Sequence, residues 1–401
     1  MGGTLKNHLS TRSCSDARVR GFAPSGFALL GVFFLARAAI TFLPCESWGP
    51  SGYLCAAPFL FLPLNRSHTC VARAAFGESA RAANRLDFLT FRSEKFTVDS
   101  HGYRNLPSSN PTPPQVVLFG SSFSLGMSLN DEETFSAQLN QHLGPIVYNA
   151  SRTLSKYLNA ARILKASYDA GVQQGWVLLE LVDRSPYNYE PSRRLPRFGE
   201  PLSRRERVID GFASLTSLTR RISDPFALTR VSTLVNMRLH NDRWLPNPYR
   251  DNFPEEELLT GRHMLFFSED KAFFQKPFGM ATTVTSVARL RDDLDRAGFK
   301  LAVILIPTGY TVYYPFLRSK SGPDLGEQYM TTLAEQLNRH SIPVFNSLPL
   351  LRDVATTEMA AGRLIYWPDD AHWNSVGCAA AASAAAPWLG ALTTRQSPPA
   401  P

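Results

Sequence analysis

The stretch Val116-Val117-Leu118-Phe119-Gly120-Ser121-Ser122-Phe123-Ser124 decides the reading of the fold. Four β-rich apolar residues suit a strand buried on both faces of a parallel sheet. Gly120 permits a sharp exit from that strand, and hydroxyls follow at once. From Asp131 a helical pattern begins, with Asp131, Glu132 and Glu133 in its first turn. A strand, a tight turn and a helix set the serine hydroxyls at the carboxyl edge of a sheet, where open α/β folds place their chemistry. The plainer alternative makes Ser121, Ser122 and Ser124 loop residues bonded to their own backbone.

The same rhythm continues outward from this stretch. Residues 131–143 read as a helix, 145–149 as a strand, 154–170 as a helix and 175–182 as a strand, apolar except for Glu180. After a break come a helix at 283–297, a strand at 301–306, a helix at 326–339, a strand at 342–345 and a final helix through 379–388. Each strand–helix unit takes about thirty residues, as parallel crossovers require. The break, residues 184–280, is rich in Arg, Pro, Asn and Tyr, with candidate helices near 203–222, 226–239 and 254–260. It reads as an insertion, either a cap over a site or a surface excursion. Residues 44–114 form a lead-in, with a short helix near 80–89, a hairpin over Phe96–Arg104 and a turn-rich linker into the central strand.

The 401 residues are 44% hydrophobic and 19% charged, a globular balance. The formal charge of +8 is dispersed. With no nucleic-acid motif in view, an anionic polymer or membrane surface is the expected partner rather than DNA or RNA. Five cysteines (Cys14, Cys45, Cys55, Cys70 and Cys378) lack metal-ligand spacing, so no metal or diffusible cofactor is expected. Cys378 reads as a small packing residue.

Residues 1–26 carry Lys6, Arg12, Arg18 and Arg20 against one acid, Asp16. Phe27–Leu43 is then apolar apart from Arg37 and Thr41, about the shortest run that spans a bilayer. This reads as an uncleaved anchor with its basic flank in the cytoplasm and the domain outside it. A cleaved signal or a buried helix are the alternatives, and Arg37 must snorkel or find a partner in a membrane. If the anchor reading holds, Cys45, Cys55 and Cys70 lie just beyond it, where one pair can form a disulfide. Residues 391–401 are a polar tail.

Near the other end stands Tyr366-Trp367-Pro368-Asp369-Asp370-Ala371-His372-Trp373-Asn374-Ser375-Val376-Gly377. A nucleophilic serine needs a base to take its proton, and the base needs a carboxylate to fix its tautomer. An acid two or three residues before a histidine supplies both.

With these residues in view, the chain resembles the SGNH (GDSL) hydrolases. Gly120-Ser121-Ser122-Phe123-Ser124 is similar to their Gly-Asp-Ser-hydrophobic-Ser/Thr block, and Asp370-Ala371-His372-Trp373-Asn374 to their C-terminal Asp-His block. The Asp-x-His-Trp form is that of the alginate O-acetyltransferase-like branch. Phe96–Arg104 and Val303–Thr308 resemble supporting segments of such proteins. The departures are Ser121 in place of Asp, Ala150 and Ser151 where a glycine should follow Asn149, and the strand end Leu179–Arg184 where a Gly-x-Asn-Asp block is absent. The serine-first order is that of ordinary SGNH hydrolases.

The resemblance implies a flavodoxin-like three-layer α/β sandwich of about five parallel strands within residues 115–390. It implies Ser122 as nucleophile, His372 as general base and then acid, and Asp370 as orienting carboxylate, with Asp369 the alternative. The idle acid would face solvent or cap the following helix. One oxyanion donor would be the Ser122 N–H, and another Asn149 or an amide near Ala150 or Ser151. The implied activity is serine-dependent acyl transfer: an O-acetyl esterase or O-acetyltransferase on a cell-surface or extracellular polysaccharide, membrane-anchored and facing the periplasm. Transfer calls for a membrane-embedded acyl-donor partner. An inactive SGNH-fold polysaccharide-binding or scaffold protein, or a tethered domain whose serine and histidine never meet, stands against this.

Overall fold

The computed structural model describes residues 68–75, 77–83, 85–90, 92–106, 113–152, 157–184, 186–192, 194–200 and 252–394. The expected anchor Phe27–Leu43, the cysteines Cys14, Cys45 and Cys55, and the helices expected at 203–222 and 226–239 lie outside the described residues.

Eleven strands are present among the described residues, five of which form the main sheet. In chain order these five are β3 (Val116–Phe119), β4 (Val147–Asn149), β6 (Gly175–Val182), β10 (Phe299–Ile306) and β11 (Val344–Asn346). They lie side by side as β11-β10-β6-β3-β4, and every pairing is parallel. Counted along the chain the order is 2-1-3-4-5, the flavodoxin-like arrangement. Its topological switch point falls between β3 and β6, where Phe119 pairs with Leu179. The expected flavodoxin-like sheet is present as five parallel strands.

The sheet forms because its strands are apolar on both faces. All four residues of β3 are buried, as are seven of the eight in β6 and seven of the eight in β10. Helices cover it: α3 (Phe135–Leu143), α4 (Ala160–Asp169), α6 (Met280–Arg296), α8 (Leu325–Arg339), α9 (Leu348–Ala360) and α10 (Ser375–Thr394). The last is long and apolar enough to cross a membrane by length and composition. Its buried residues Cys378, Ala381, Ala382, Ala385, Ala386 and Leu389 recur at helical spacing and join the domain core, so this helix covers the sheet. Cys378 packs there, and burial pushes its thiol up.

Several boundaries differ from the sequence reading, each for a local reason. The helix expected from 131 is split: a 3-10 turn over Asp131–Glu133 ends at Thr134, whose hydroxyl caps α3 by accepting the Ala137 N–H at 3.3 Å. The helix expected from 154 starts only at Ala160, because Asn159 caps it through the Arg162 N–H at 3.1 Å. Leu158 instead lies in β5 (Tyr157–Leu158), parallel to β7 (Asn188–Tyr189). The helix expected at 254–260 is a strand, β8 (Glu255–Glu257), paired antiparallel with β9 (His263–Leu265).

The hairpin expected over Phe96–Arg104 is also corrected. The strand is β2 (Arg92–Val98), and its partner is the earlier β1 (His68–Ala75). The sequence after β2 is a loop closed by Asp99, whose Oδ1 accepts the His101 and Tyr103 amides at 2.9 and 3.0 Å. Between the two strands lie α1 (Glu78–Ala83), part of the helix expected near 80–89, and a 3-10 turn.

This lead-in is stitched to the sheet's carboxyl edge. Phe96 and Val98 form a buried cluster with Leu125 and Met127, just past the serine turn. Arg104, buried over the Phe96 ring, donates to the carbonyls of Leu125, Gly126 and Leu129 and to Asp131. The mid-chain stretch is tied down as well. Arg184 pairs with Asp270 at 2.5 and 3.1 Å, and the Leu265 N–H donates to Pro368 O beside the Asp-His loop.

At the end of β6, buried Asp183 accepts the Thr308 N–H at 2.5 Å and the Thr311 hydroxyl. Burial outweighs those donors and pushes its carboxyl up to about 7. A carboxyl raised on folding holds a proton that the unfolded chain releases near its ordinary value of about 4, so stability falls as pH rises between the two. Asp183→Asn is expected to flatten the fall in the denaturant midpoint between pH 4 and 7. A midpoint with the same pH slope in wild type and variant would show that Asp183 is not the group responsible.

Candidate active site

The serine turn follows from β3. After Gly120 the chain enters the single helical turn α2 (Ser122–Leu125), with Ser121 as N-cap and Gly126, at φ 83°, as C-cap. Ser122 and Ser121 are partly exposed, whereas Phe123, Ser124 and Leu125 are buried. The turn thus shows one hydroxyl to the crevice while its apolar side anchors it.

The Asp-His loop is closed by an antiparallel bridge between Tyr366 and Trp373 and by the Trp367 N–H donating to His372 O at 3.2 Å. Asn374 Oδ1 accepts the Val376 and Gly377 amides, which caps α10 and ends the loop. Trp373 is fully buried against Phe123 and Phe135, so this loop and the serine turn share one aromatic anchor.

His372 Nε2 lies 2.7 Å from Ser122 Oγ, although 250 positions separate them. Its Nδ1 lies 2.6 Å from Asp370 Oδ1. The ring therefore donates from Nδ1 to the carboxylate and accepts the Ser122 O–H at Nε2, the tautomer that proton abstraction needs. His372 and Asp370 are buried. Burial alone would raise the Asp370 carboxyl, but His372, Arg92 and the Ser128 hydroxyl together hold it well below the usual carboxylate range. Ser128 donates to Asp370 Oδ2 at 2.8 Å, and Arg92 Nη2 lies 3.1 Å from the same oxygen.

Asp369 does not face solvent, nor does it cap α10. It is fully buried and points away from the imidazole. Its Oδ2 accepts the amides of Gly77 and Thr90 at 2.8 and 2.9 Å, and its Oδ1 takes Arg92 Nη1 at 2.9 Å. The chain turns through Asp369 and bends at Asp370, and one acid meets the histidine while the other meets the lead-in segment. Gly77 is required there, since a Cβ would come within 1.9 Å of Asp369 O. One guanidinium, stacked 4.2 Å from the Trp367 ring, bridges both acids.

Asn149, Ala150 and Ser151 do not supply the second oxyanion donor expected of them. The Asn149 amide group donates to Ser124 O at 2.8 Å, and its Oδ1 takes the Ser151 N–H at 3.0 Å. The Ala150 N–H donates to Leu118 O at 2.8 Å. These residues brace the serine turn from the neighbouring strand. The Ser122 and Phe123 amides, in the first turn of α2, have no protein acceptor among the described residues.

Three contributors carry no motif in the sequence: Arg92, Ser128 and Glu180. Only Glu180 gave a signal, as the one charge in the otherwise apolar strand β6. No cluster of His, Cys, Asp and Glu suited to a metal occurs among the described residues.

The family model "SGNH hydrolase-like domain, acetyltransferase AlgX" matches residues 259–400, a span that includes Asp370 and His372 but not Ser122. No curated protein matches the chain. Among solved structures, the crystal structure of protein YxiM from Bacillus subtilis aligns over 83% of this chain and 74% of its own at 9% identity, with a TM-score of 0.33, too loose a likeness to carry an assignment. The resemblance carried by the Asp-His block thus has independent support: residues 259–400 are similar to the SGNH hydrolase-like domain of the acetyltransferase AlgX.

Proposed function

We propose that this protein is a serine-dependent acyl-transfer enzyme, with Ser122 as nucleophile, His372 as general base and acid, and Asp370 as the carboxylate that orients the ring. The observation that carries this reading is the unbroken hydrogen-bonded line from Ser122 Oγ through His372 to Asp370.

Ser122 Oγ attacks the acyl carbonyl as His372 Nε2 takes its proton. The carbonyl oxygen becomes an oxyanion, for which the free Ser122 and Phe123 amides are the available donors in the turn. Collapse breaks the ester C–O bond, and His372 returns the proton to the departing alcohol. The acyl-serine then passes its acyl group to water or to a sugar hydroxyl, with the same histidine removing the incoming proton. The first outcome is esterase action and the second O-acetyl transfer. The AlgX-type match favours an acetyl group as the acyl unit, and the resemblance of the Asp-His block favours a cell-surface or extracellular polysaccharide as its carrier. The basic flank before Phe27–Leu43 favours an anchored domain outside the cytoplasm, within reach of a membrane-embedded acyl donor.

A second reading, a polysaccharide-binding or scaffold protein without turnover, draws support from the occupied amides at Ala150 and Ser151. A serine-reactive fluorophosphonate together with p-nitrophenyl acetate separates the two. The enzyme reading expects labelling and turnover in the wild type and loss of both in Ser122→Ala. A folded wild type that neither labels nor turns over the ester would leave the binding reading in its place.

A further inference from the structure

We infer that Glu180 is a positioning residue for the nucleophile turn, capping it from the neighbouring strand in place of an acid within the turn itself; this rests on the acyl-transfer reading. The Glu180 carboxylate is buried near the carboxyl end of the strand that forms one wall of the switch-point crevice. Its Oε1 accepts the Ser121 N–H at 3.1 Å and the Ser121 hydroxyl, and its Oε2 accepts the Ser124 N–H at 2.6 Å. These donors flank Ser122 on both sides.

The geometry explains three features that are otherwise unconnected. Ser121 occupies the N-cap position of α2, yet its side chain makes no capping bond to the turn. An N-cap side chain ordinarily accepts the second or third amide of the helix, and the third here is the Ser124 N–H. Glu180 takes that amide instead, and the Ser121 hydroxyl is turned to the same carboxylate. Second, Gly120 has to be glycine because a Cβ there would come within 2.6 Å of Glu180 Cβ and Oε2. Third, the carboxylate takes the amides of Ser121 and Ser124, leaving those of Ser122 and Phe123 for a developing oxyanion. A carboxylate at a helix N-terminus is also favoured by the local dipoles.

Moving the carboxylate from one wall to the other tests the inference. Glu180→Gln keeps the volume but turns one acceptor into a donor facing an N–H. It is expected to lower kcat for p-nitrophenyl acetate about 30-fold or more with KM little changed, as loss of charged hydrogen bonds implies. Ser121→Asp alone sets two carboxylates against each other and is expected to be impaired too. The two together restore an acidic N-cap that reaches the Ser124 amide, and kcat is expected to return to within about fivefold of wild type. A merely volume-filling Glu180 gives no such recovery.

Glu180→Gln within about threefold of wild type, or a double variant no faster than Glu180→Gln, overturns the inference. If the wild type lacks turnover and labelling, the acyl-transfer reading falls on its own, and amide hydrogen exchange then decides the cap. Faster exchange at Ser121 and Ser124 in Glu180→Gln upholds it, and unchanged exchange overturns it.

Discussion

Asp370→Asn is expected to lower ester turnover about 10⁴-fold, the scale set by losing the orienting carboxylate of a serine–histidine–aspartate unit. The His372 ring holds its Nδ1 proton toward Asp370 Oδ1 at 2.6 Å so that Nε2 can accept from Ser122. An asparagine presenting its NH₂ group to that nitrogen favours the opposite tautomer, in which Nε2 carries the hydrogen and no longer serves as a base. Asp369→Asn is expected to act elsewhere. Its carboxylate ties Gly77, Thr90 and Arg92 to the loop, so the change removes stability while turnover per folded molecule falls tenfold or less, about 1.4 kcal/mol of barrier. Measuring kcat alongside the urea midpoint separates these effects. A larger loss of kcat in Asp369→Asn than in Asp370→Asn would move the orienting role to Asp369. Should the folded wild type show no ester cleavage, the binding reading gains and the two acids are ranked by stability alone.

The parts of this arrangement that were legible in the sequence are those fixed by local chemistry. The apolar runs of β3, β6 and β10 are buried on both faces, and such runs announce themselves without alternation. Ser122 and His372 follow a strand end and a short acidic loop, which are local patterns. The hairpin over Phe96–Arg104 was misread because β2 pairs with a strand beginning at His68, and pairing partners are not written locally. The strand Glu255–Glu257 was misread as helical for a similar reason: three glutamates favour a helix until the Met264 strand beside them supplies a ladder. Asn149 was expected as an oxyanion donor from the family resemblance alone, but its bonds go to Ser124 and Ser151. Arg92 could not be singled out among the other arginines, since its role exists only where the lead-in meets Asp369 and Asp370.

Arg92→Met is expected to be the most damaging change outside the serine–histidine–aspartate line, in stability as well as in turnover. Arg92 Nη1 and Nη2 lie 2.9 and 3.1 Å from Asp369 and Asp370, all three side chains being buried. Methionine preserves much of the apolar stem but leaves two neighbouring carboxylates without their cation. Removing one partner of a buried ion pair costs about 3–5 kcal/mol, because the remaining charge is uncompensated. The pH dependence should also change. In the wild type, Asp370 is held below its ordinary value, so its contribution is present above about pH 4 and is lost as pH falls through the depressed value. In the variant Asp370 keeps His372 and Ser128 but loses the pull of Arg92, so burial counts for more and less stability is gained as pH rises. Glu94 on the same strand adds to this, since burial already pushes it up against the pull of Arg104 and Arg92. The urea midpoint of Arg92→Met should therefore approach that of the wild type near pH 4 and fall furthest below it near pH 8. A gap between the two proteins that stays constant with pH would mean that Arg92 contributes packing against Trp367 rather than charge to the two acids.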